Sequence, residues 1–106
     1  MDANRDADRW GALADGTRLA IVARLADGPQ PVGQLAAGLP VSRSAVSQHL
    51  KILKDAGLVE DAAAGTRRIY RLNPVALAAL RDQLDTYWQQ ALAGYAQAAE
   101  APDEKG

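Results

Sequence analysis

The last third of the chain is predicted to form one helix that is too long for the rest of the protein to cover. Asn73 and Pro74 have the residue types of an N-cap and a first helical position, and apolar residues recur at helical spacing to about Ala99. A helix of about 25 residues is about 37 Å long at 1.5 Å per residue. A chain of 106 residues cannot bury such a helix by itself. We therefore expect it to pack against a second copy of the chain.

An apolar stripe along this helix supports the same prediction. Burying the stripe against a symmetric copy removes apolar surface from water at ~25 cal/mol per Å², before the costs of association. The stripe consists of Leu77, Leu80, Leu84, Tyr87, Trp88, Ala91 and Tyr95. An alternative is a small-molecule pocket around Trp10, Tyr87 and Trp88. Aromatic residues at helical spacing more often form interface cores, so the interface is the leading interpretation.

Composition excludes several classes of protein. The chain has no cysteine, which excludes disulfides, thiolate metal sites and a cysteine nucleophile. Its one histidine is His49. No nucleophile with a partner base and no glycine-rich phosphate loop is recognisable, so we expect no enzymatic activity. No apolar run approaches the ~20 residues of a membrane span, and the polar, acidic N-terminus does not resemble a signal peptide. We expect a cytoplasmic protein without a membrane partner.

The remaining sequence predicts short helices followed by a hairpin. Glycine, proline and capping residues separate the apolar segments from one another. We expect one domain over residues 1–100 and a disordered tail at 101–106. Helices are predicted at about 6–13, 31–37, 42–56 and 74–99. A further helix is predicted between the turn signals at 15–17 and 27–29. Strands are predicted at 58–60 and 67–72, with a hairpin tip at 61–66. In the second helix, the predicted buried stripe is Leu19, Val22, Leu25 and Ala26.

The predicted helix at 42–56 has two chemically different faces. One side is apolar and also holds His49; its members are Ala45, Val46, Leu50, Ile52, Leu53 and Ala56. The other side carries hydrogen-bond donors and no carboxylate; its members are Arg43, Ser44, Ser47, Gln48, Lys51 and Lys54. Such a face suits a DNA major groove, because Arg and Gln read base edges and Lys neutralises phosphates. The alternative is an ordinary solvated face, although such faces normally mix charge signs.

The neighbouring segments strengthen the DNA interpretation. The short helix, the connection at 38–41 and the helix capped by Ser42 have the size of a helix-turn-helix, whose second helix enters the groove. Gly65, Thr66, Arg67 and Arg68 then form a basic hairpin tip that suits a phosphate strand or an adjacent minor groove. Alternatively, the two arginines protect an edge strand against aggregation. The register of this hairpin stays open at this point.

Three segments of the sequence resemble the winged helix-turn-helix repressors of the ArsR/SmtB type. They are residues 13–18, 41–59 and 65–72, and the run Val-Ser-Gln-His-Leu-Lys-Ile-Leu-Lys-Asp-Ala-Gly-Leu-Val at 46–59 is the most specific. The resemblance implies a mainly α fold in the order α-α-α-α-β-β-α with a β-hairpin wing. It also implies a homodimer through the first and last helices, which adds Trp10 and Leu13 to the interface, and an operator with two-fold symmetry.

The resemblance does not extend to the metal ligands of this family. Residues 32–37 contain no cysteine, and the last helix has Asp82 and Asp85 followed by Gln89 and Gln90, with no histidine. Two carboxylates without imidazole or thiolate make a poor transition-metal site. We therefore expect no metal and no cofactor, and release by a small organic effector is a variant of the same interpretation.

The leading hypothesis is a homodimeric repressor that binds double-stranded operator DNA. Ser44, Ser47 and Gln48 would enter the major groove with Arg43, from a helix capped by Ser42. Lys51 and Lys54 would hold phosphates, and Thr66, Arg67 and Arg68 would supply the wing contacts. His49 is expected to face inward and to orient the helix through hydrogen bonds. The net charge of −1 leaves a rival hypothesis, a protein-interaction module that has lost DNA binding.

Overall fold

The computed structural model describes the backbone of residues 2–100 and the side chains of residues 7–100. The helices are α1 (Asp2–Leu13), α2 (Gly16–Leu25), α3 (Val32–Ala37), α4 (Arg43–Asp55) and α5 (Pro74–Glu100). The strands are β1 (Gln30–Pro31), β2 (Val59–Ala64) and β3 (Arg67–Leu72). The predicted order of helices and wing strands is confirmed, with β1 as an addition. The predicted disordered tail at 101–106 lies outside the described residues.

The strands form one antiparallel sheet in the order β1-β3-β2. β2 pairs with β3 over its whole length, from Val59 opposite Leu72 to Ala64 opposite Arg67. The predicted hairpin tip at 61–66 is therefore too long, because the strand continues through three alanines to a turn at Gly65 and Thr66. Gly65 has a φ of 65°, which suits a residue without a Cβ atom. β1 adds a short pairing to β3 and ties the start of α3 to the wing.

The core is aliphatic, as the absence of phenylalanine requires. Ile21, Leu35, Leu50, Leu53 and Leu58 are completely covered by α2, α3, α4 and the base of the wing. Partly buried residues, including Val22, Val32 and Tyr70, surround this core.

Three residues that the sequence placed on buried apolar faces are exposed. Leu19 is 51% exposed, and the buried pair of α2 is Ile21 and Leu25, which are one helical turn apart. Ala26 is exposed at the end of the same helix. Ile52 is 43% exposed in α4, because the buried face there follows the spacing from Val46 to Leu50 to Leu53.

Side-chain caps confirm where the helices begin. The Ser42 Oγ accepts a hydrogen bond from the Ala45 backbone N–H at 3.0 Å, which starts α4. The Asn73 Oδ1 accepts from the Val75 backbone N–H at 3.0 Å, which starts α5. Asn73 Nδ2 also donates to the Gly57 carbonyl at 3.0 Å. The start of α5 is therefore tied to the end of α4.

α5 leaves the core after its second turn. Ala76 and Leu80 are buried, whereas the side chains that follow along the apolar stripe are about half exposed or more. Leu80, which the sequence placed in the dimer interface, is 5% exposed and is covered by its own chain. None of the helices in the described part of the chain is long and apolar enough to span a membrane.

Candidate nucleic-acid interface

The polar face of α4 lies at the surface, on the side away from the core. All six side chains that the sequence assigned to this face are exposed: Arg43, Ser44, Ser47, Gln48, Lys51 and Lys54. The buried side is held by Val46, Leu50 and Leu53, so the rotation of the helix is fixed by packing. Ser42 is exposed too, but its hydroxyl oxygen accepts the capping hydrogen bond. α4 thus presents a row of donors that does not depend on the position of a flexible loop.

The strand register settles the orientation of the wing side chains. Asp61 is opposite Tyr70 and Ala63 is opposite Arg68, so these four residues share one face of the hairpin. That face is turned toward α4, because Asp61 contacts Lys54. Arg67 is next to Arg68 in the strand and therefore points to the opposite face. The two arginines at the tip consequently extend to different sides of the wing.

A groove separates the wing tip from the start of α3 and α4. It encloses about 630 Å³ and is lined by Pro31, Val32, Gly33, Gln34, Arg43, Thr66, Arg67 and Arg68. Three of the lining residues are arginines, and none of the lining residues is acidic. The Arg43 side chain lies beside Gly33, 3.8 Å from the position that a Cβ would take. The groove therefore suits an extended anion such as a phosphodiester strand.

The cations nearer the end of α4 are paired with carboxylates. Lys51 Nζ lies 2.9 Å from Asp55 Oδ2, one helical turn away. Lys54 Nζ lies 2.9 Å from Asp61 Oδ1, and Arg68 Nη1 lies 3.1 Å from Asp61 Oδ2. The expectation that this face lacks carboxylates is therefore wrong for its C-terminal end. The i,i+4 spacing of Lys51 and Asp55 was a local signal for the first pair. The local sequence could not show the pairing of Lys54, because Asp61 reaches α4 through the sheet.

Asp61 is the most enclosed carboxylate in these pairs. Its side chain is 8% exposed, whereas those of Lys54 and Arg68 are 52% and 55% exposed. The hydrogen bond from Lys54 lowers the pKa of Asp61 below its usual value of 3.8, the Arg68 contact lowers it further, and burial opposes both. The carboxylate is thus held in its ionised form between two elements of the interface.

His49 lies inward, as the sequence predicted. Its side chain is 22% exposed, and its Nδ1 is 3.2 Å from Nη1 of Arg18 and 3.9 Å from Oδ2 of Asp15. Arg18 Nε donates to the Ala12 carbonyl at 2.6 Å. The hydrogen bond from the Arg18 backbone N–H lowers the pKa of Asp15, burial opposes this effect, and the charge of Arg18 lowers the pKa further. These contacts connect α4 to α2 and to the end of α1.

A second surface lies on α1 and α5. Trp10 Nε1 donates to Gln83 Oε1, and Gln83 Nε2 donates to the Tyr87 hydroxyl at 3.3 Å. α1 is thereby aligned with α5, and Trp10 and Leu13 are half-buried beside it. Much of the predicted interface stays exposed in the single chain, with Leu84 at 54%, Tyr87 at 53%, Trp88 at 60% and Tyr95 at 76%, while Leu77 is half-buried and Ala91 is exposed. Leu92, at 46% exposure, belongs to the same surface and was missing from the predicted set.

Two further contributors were missed by the sequence analysis. Asp61 was assigned to a hairpin tip, and the strand register alone brings it to α4. Tyr70 lines a surface recess of about 310 Å³ with Ser47, Lys51, Lys54 and Asp55. The alternation of β3 could have indicated Tyr70. Side chains alternate along a strand, so an aromatic residue next to the charged Arg71 is expected on the core side of the sheet.

A smaller cleft lies between α1, α2 and α4. It has a volume of about 280 Å³ and is lined by Asp8, Gly11, Ala12, Arg18, Ile52, Asp55 and Ala56. Within the described side chains, 7–100, no three His, Asp or Glu residues are grouped as a metal ion would require.

Comparison with known proteins agrees with this geometry. A model of the bacterial regulatory protein arsR family matches residues 15–61. HTH-type transcriptional regulator Rv2034 of Mycobacterium tuberculosis is 65% identical over 98 residues, covering 92% of each chain. The structure of an ArsR-like transcriptional regulator from Rhodococcus sp. RHA1 gives a TM-score of 0.74 at 34% identity, covering 95% of this chain and 98% of that one. The homodimeric winged helix-turn-helix DNA-binding domain of Mb0332 from Mycobacterium bovis gives 0.69 at 32% identity, covering 85% and 83%.

Proposed function

This chain belongs to the arsR family of bacterial regulatory proteins and is a DNA-binding transcriptional regulator rather than an enzyme, and on that premise we propose that it acts as a homodimeric repressor of a palindromic operator. The observation that carries the proposal is the placement of the donor face of α4 beside the basic groove below the wing. A duplex seated on α4 brings one backbone strand to that groove. Operator DNA lies in the cytoplasm of a bacterium, and this location is part of the proposal.

Base reading is assigned to the middle of α4. Ser44, Ser47 and Gln48 are short donors on the exposed face, and Gln48 can form paired hydrogen bonds with adenine. Arg43 lies at the N-terminal end of the same face, where it also lines the groove. Thr66 and Arg67 are assigned to the backbone strand that runs along this groove.

The dimer is assigned to α1 and the exposed part of α5. Leu84, Trp88 and Tyr95 lie one above the other along α5, and their exposure in a single chain supports burial against a partner. A two-fold axis through this surface places two α4 helices on one side of the dimer. Their half-sites are then expected about 34 Å apart, one turn of the duplex. A dimer that covers such a site would block access to the promoter that contains it.

Regulation is proposed without a transition metal. The chain has no cysteine, and its one histidine is engaged with Arg18. A small organic effector is the proposed alternative signal. The cleft lined by Arg18 and Ile52 offers a place for it next to α4.

The proposal is tested by selecting fragments of the source genome that bind the purified protein. Enrichment of sites with two-fold symmetry and half-sites one turn apart would support it. Titration of a selected fragment at low and at moderate salt separates it from a protein-interaction module, because such a module shifts no duplex at either concentration. Sites without symmetry, or bound by a monomer, would overturn the dimeric repressor.

A further inference from the structure

We propose that Asp61 is a positioning residue of the DNA interface: its enclosed carboxylate binds Lys54 of α4 and Arg68 of the wing together, so that the two cations grip one phosphate strand as a unit. The inference rests on the proposed function and deepens it. Asp61 itself, as an anion, is not expected to touch DNA.

The two carboxylate oxygens are used by different elements. Oδ1 lies 2.9 Å from Lys54 Nζ, in the last turn of α4, and Oδ2 lies 3.1 Å from Arg68 Nη1, on β3. Asp61 itself is on β2, opposite Tyr70 rather than opposite Arg68. The bridge therefore joins the helix to both strands of the wing, and no backbone hydrogen bond in the sheet can replace its contact with the helix.

The enclosure of Asp61 distinguishes this bridge from ordinary surface pairs. Its side chain is 8% exposed, whereas the carboxylate side chains of the Lys51 and Arg71 pairs are 66% and 42% exposed. Exposed pairs contribute little because water and salt screen them. The Asp61 side chain is largely covered and binds a different cation with each of its two oxygens, so its geometry is more restricted. The bridge can therefore restrict the angle between the wing and α4.

Both cations remain able to meet a phosphate while they hold Asp61. An ammonium has three N–H donors and a guanidinium has five, and each group uses one donor on this carboxylate in the contacts described. About half of each side chain is exposed. One carboxylate between two cations leaves a net positive charge at this site. We infer that Asp61 sets the distance between two phosphate contacts instead of competing with the DNA for them.

The test compares Asp61→Asn with Glu60→Gln in the full-length chain. Both substitutions remove one negative charge, and the positions are adjacent in β2. Glu60, however, pairs with Arg71 across the strands and lies on the opposite face. Affinity for a genome-selected duplex and for a random duplex is measured over a range of salt concentrations. Hydrogen exchange of the β2 and β3 amides is measured without DNA.

If Asp61 positions the cations, Asp61→Asn raises the Kd for the selected duplex about tenfold, as expected when a charge-assisted contact is lost. Its salt slope falls by about one to two units, because each lost phosphate contact removes about 0.9. The wing amides exchange faster. Glu60→Gln leaves the slope and the exchange unchanged, and Asp61→Glu restores part of the slope. A purely structural role would not reduce the slope while net positive charge rises.

Equal or tighter binding by Asp61→Asn, with an equal or steeper slope, would overturn the inference and show that Asp61 competes with phosphate. Unchanged wing exchange would overturn the coupling between the wing and α4. Both results leave the proposed function intact if the unmodified protein still selects symmetric sites. Failure of the unmodified protein to shift any duplex would instead overturn the proposed function, and this inference with it.

Discussion

Nη1 of Arg18 lies 3.2 Å from Nδ1 of His49, and this contact joins the second helix to the helix proposed to enter DNA. A guanidinium can only donate, so Nδ1 of His49 is the acceptor of this hydrogen bond. Arg18 also donates to the Ala12 carbonyl at the end of α1. Arg18 of α2 therefore contacts both α1 and α4.

Replacement of His49 tests the importance of this acceptor. We expect His49→Leu to lower the free energy of unfolding by about 1 to 2 kcal/mol, because a partly buried donor loses its partner. His49→Asn places a polar atom near the position of Nδ1 and should retain much of the stability. Urea unfolding monitored by circular dichroism gives both values. Equal stability of the two variants would show that the contact with Arg18 contributes nothing.

Asn73 is expected to have a larger effect than an ordinary cap. Its side chain accepts from the Val75 N–H and donates to the Gly57 carbonyl, so it serves two helices. Asn73→Ala should cost about 1 to 2 kcal/mol of unfolding free energy. Asn73→Asp keeps the acceptor and loses the donor, and its stability should fall between those of the other two proteins. If Asn73→Asp were as unstable as Asn73→Ala, the cap to α5 would have no measurable role.

Local signals explain how much of the fold the sequence could predict. Ser42 and Asn73 cap their helices through atoms two or three residues away, so residue type and spacing suffice to locate them. The strand and turn signals after residue 57 likewise sufficed to predict a hairpin after α4. The exposed face of α4 could be predicted from the regular helical spacing of its apolar and polar residues.

Long-range pairing explains what the sequence could not predict. β1 consists of Gln30 and Pro31, and it is a strand only because Tyr70 and Ile69 lie beside it. The alanines that extend β2 have little strand preference of their own. Leu80 fits the apolar stripe of α5, yet contacts within the chain bury it. The partners of Asp61 likewise depend on tertiary structure, and so Lys54 could not be assigned to this carboxylate in advance.

Acid should weaken the bridge at Asp61. Because the folded protein holds the pKa of Asp61 below its usual value, the ionised carboxylate stabilises the fold above that value, and this stabilisation is lost as the pH falls through the folded pKa. The stability of the unmodified protein should therefore begin to fall as the pH approaches the usual pKa of 3.8 and continue to fall through the lowered pKa, and that of Asp61→Asn should fall less. Lys54→Met removes the largest cause of the shift and should also flatten the profile. Parallel urea-unfolding profiles for all three proteins would contradict this prediction.

Two substitutions should separate base reading from phosphate binding. Gln48→Ala should weaken binding to the selected operator by ~1 to 3 kcal/mol and leave random DNA unaffected, because a base contact is lost. Arg67→Ala, in the basic groove, should weaken binding to both duplexes and reduce the salt slope by about one unit. Fluorescence anisotropy at several salt concentrations measures both effects. Equal losses on operator and random DNA for Gln48→Ala would remove it from the base-reading residues.

The exposed stripe of α5 should control assembly. Trp88 is 60% exposed and Val75 is 76% exposed on the same helix, but thirteen positions at 100° each place them on opposite sides. Trp88→Glu adds a charge to the proposed interface and should give a monomer at micromolar concentration with its helical content retained. Val75→Glu adds the same charge outside the stripe and should leave the dimer intact.

Sedimentation velocity and operator binding together decide the outcome for this surface. A monomeric Trp88→Glu protein should bind the full operator far more weakly, because two half-sites no longer act through one particle. Its binding to an isolated half-site should match that of the unmodified protein, since Trp88 lies on α5 and is not among the residues assigned to DNA. If Trp88→Glu still sediments as a dimer, the two copies must meet through another surface. If it is monomeric but binds the full operator with unchanged affinity, each α4 helix acts independently and the symmetry of the operator has another origin.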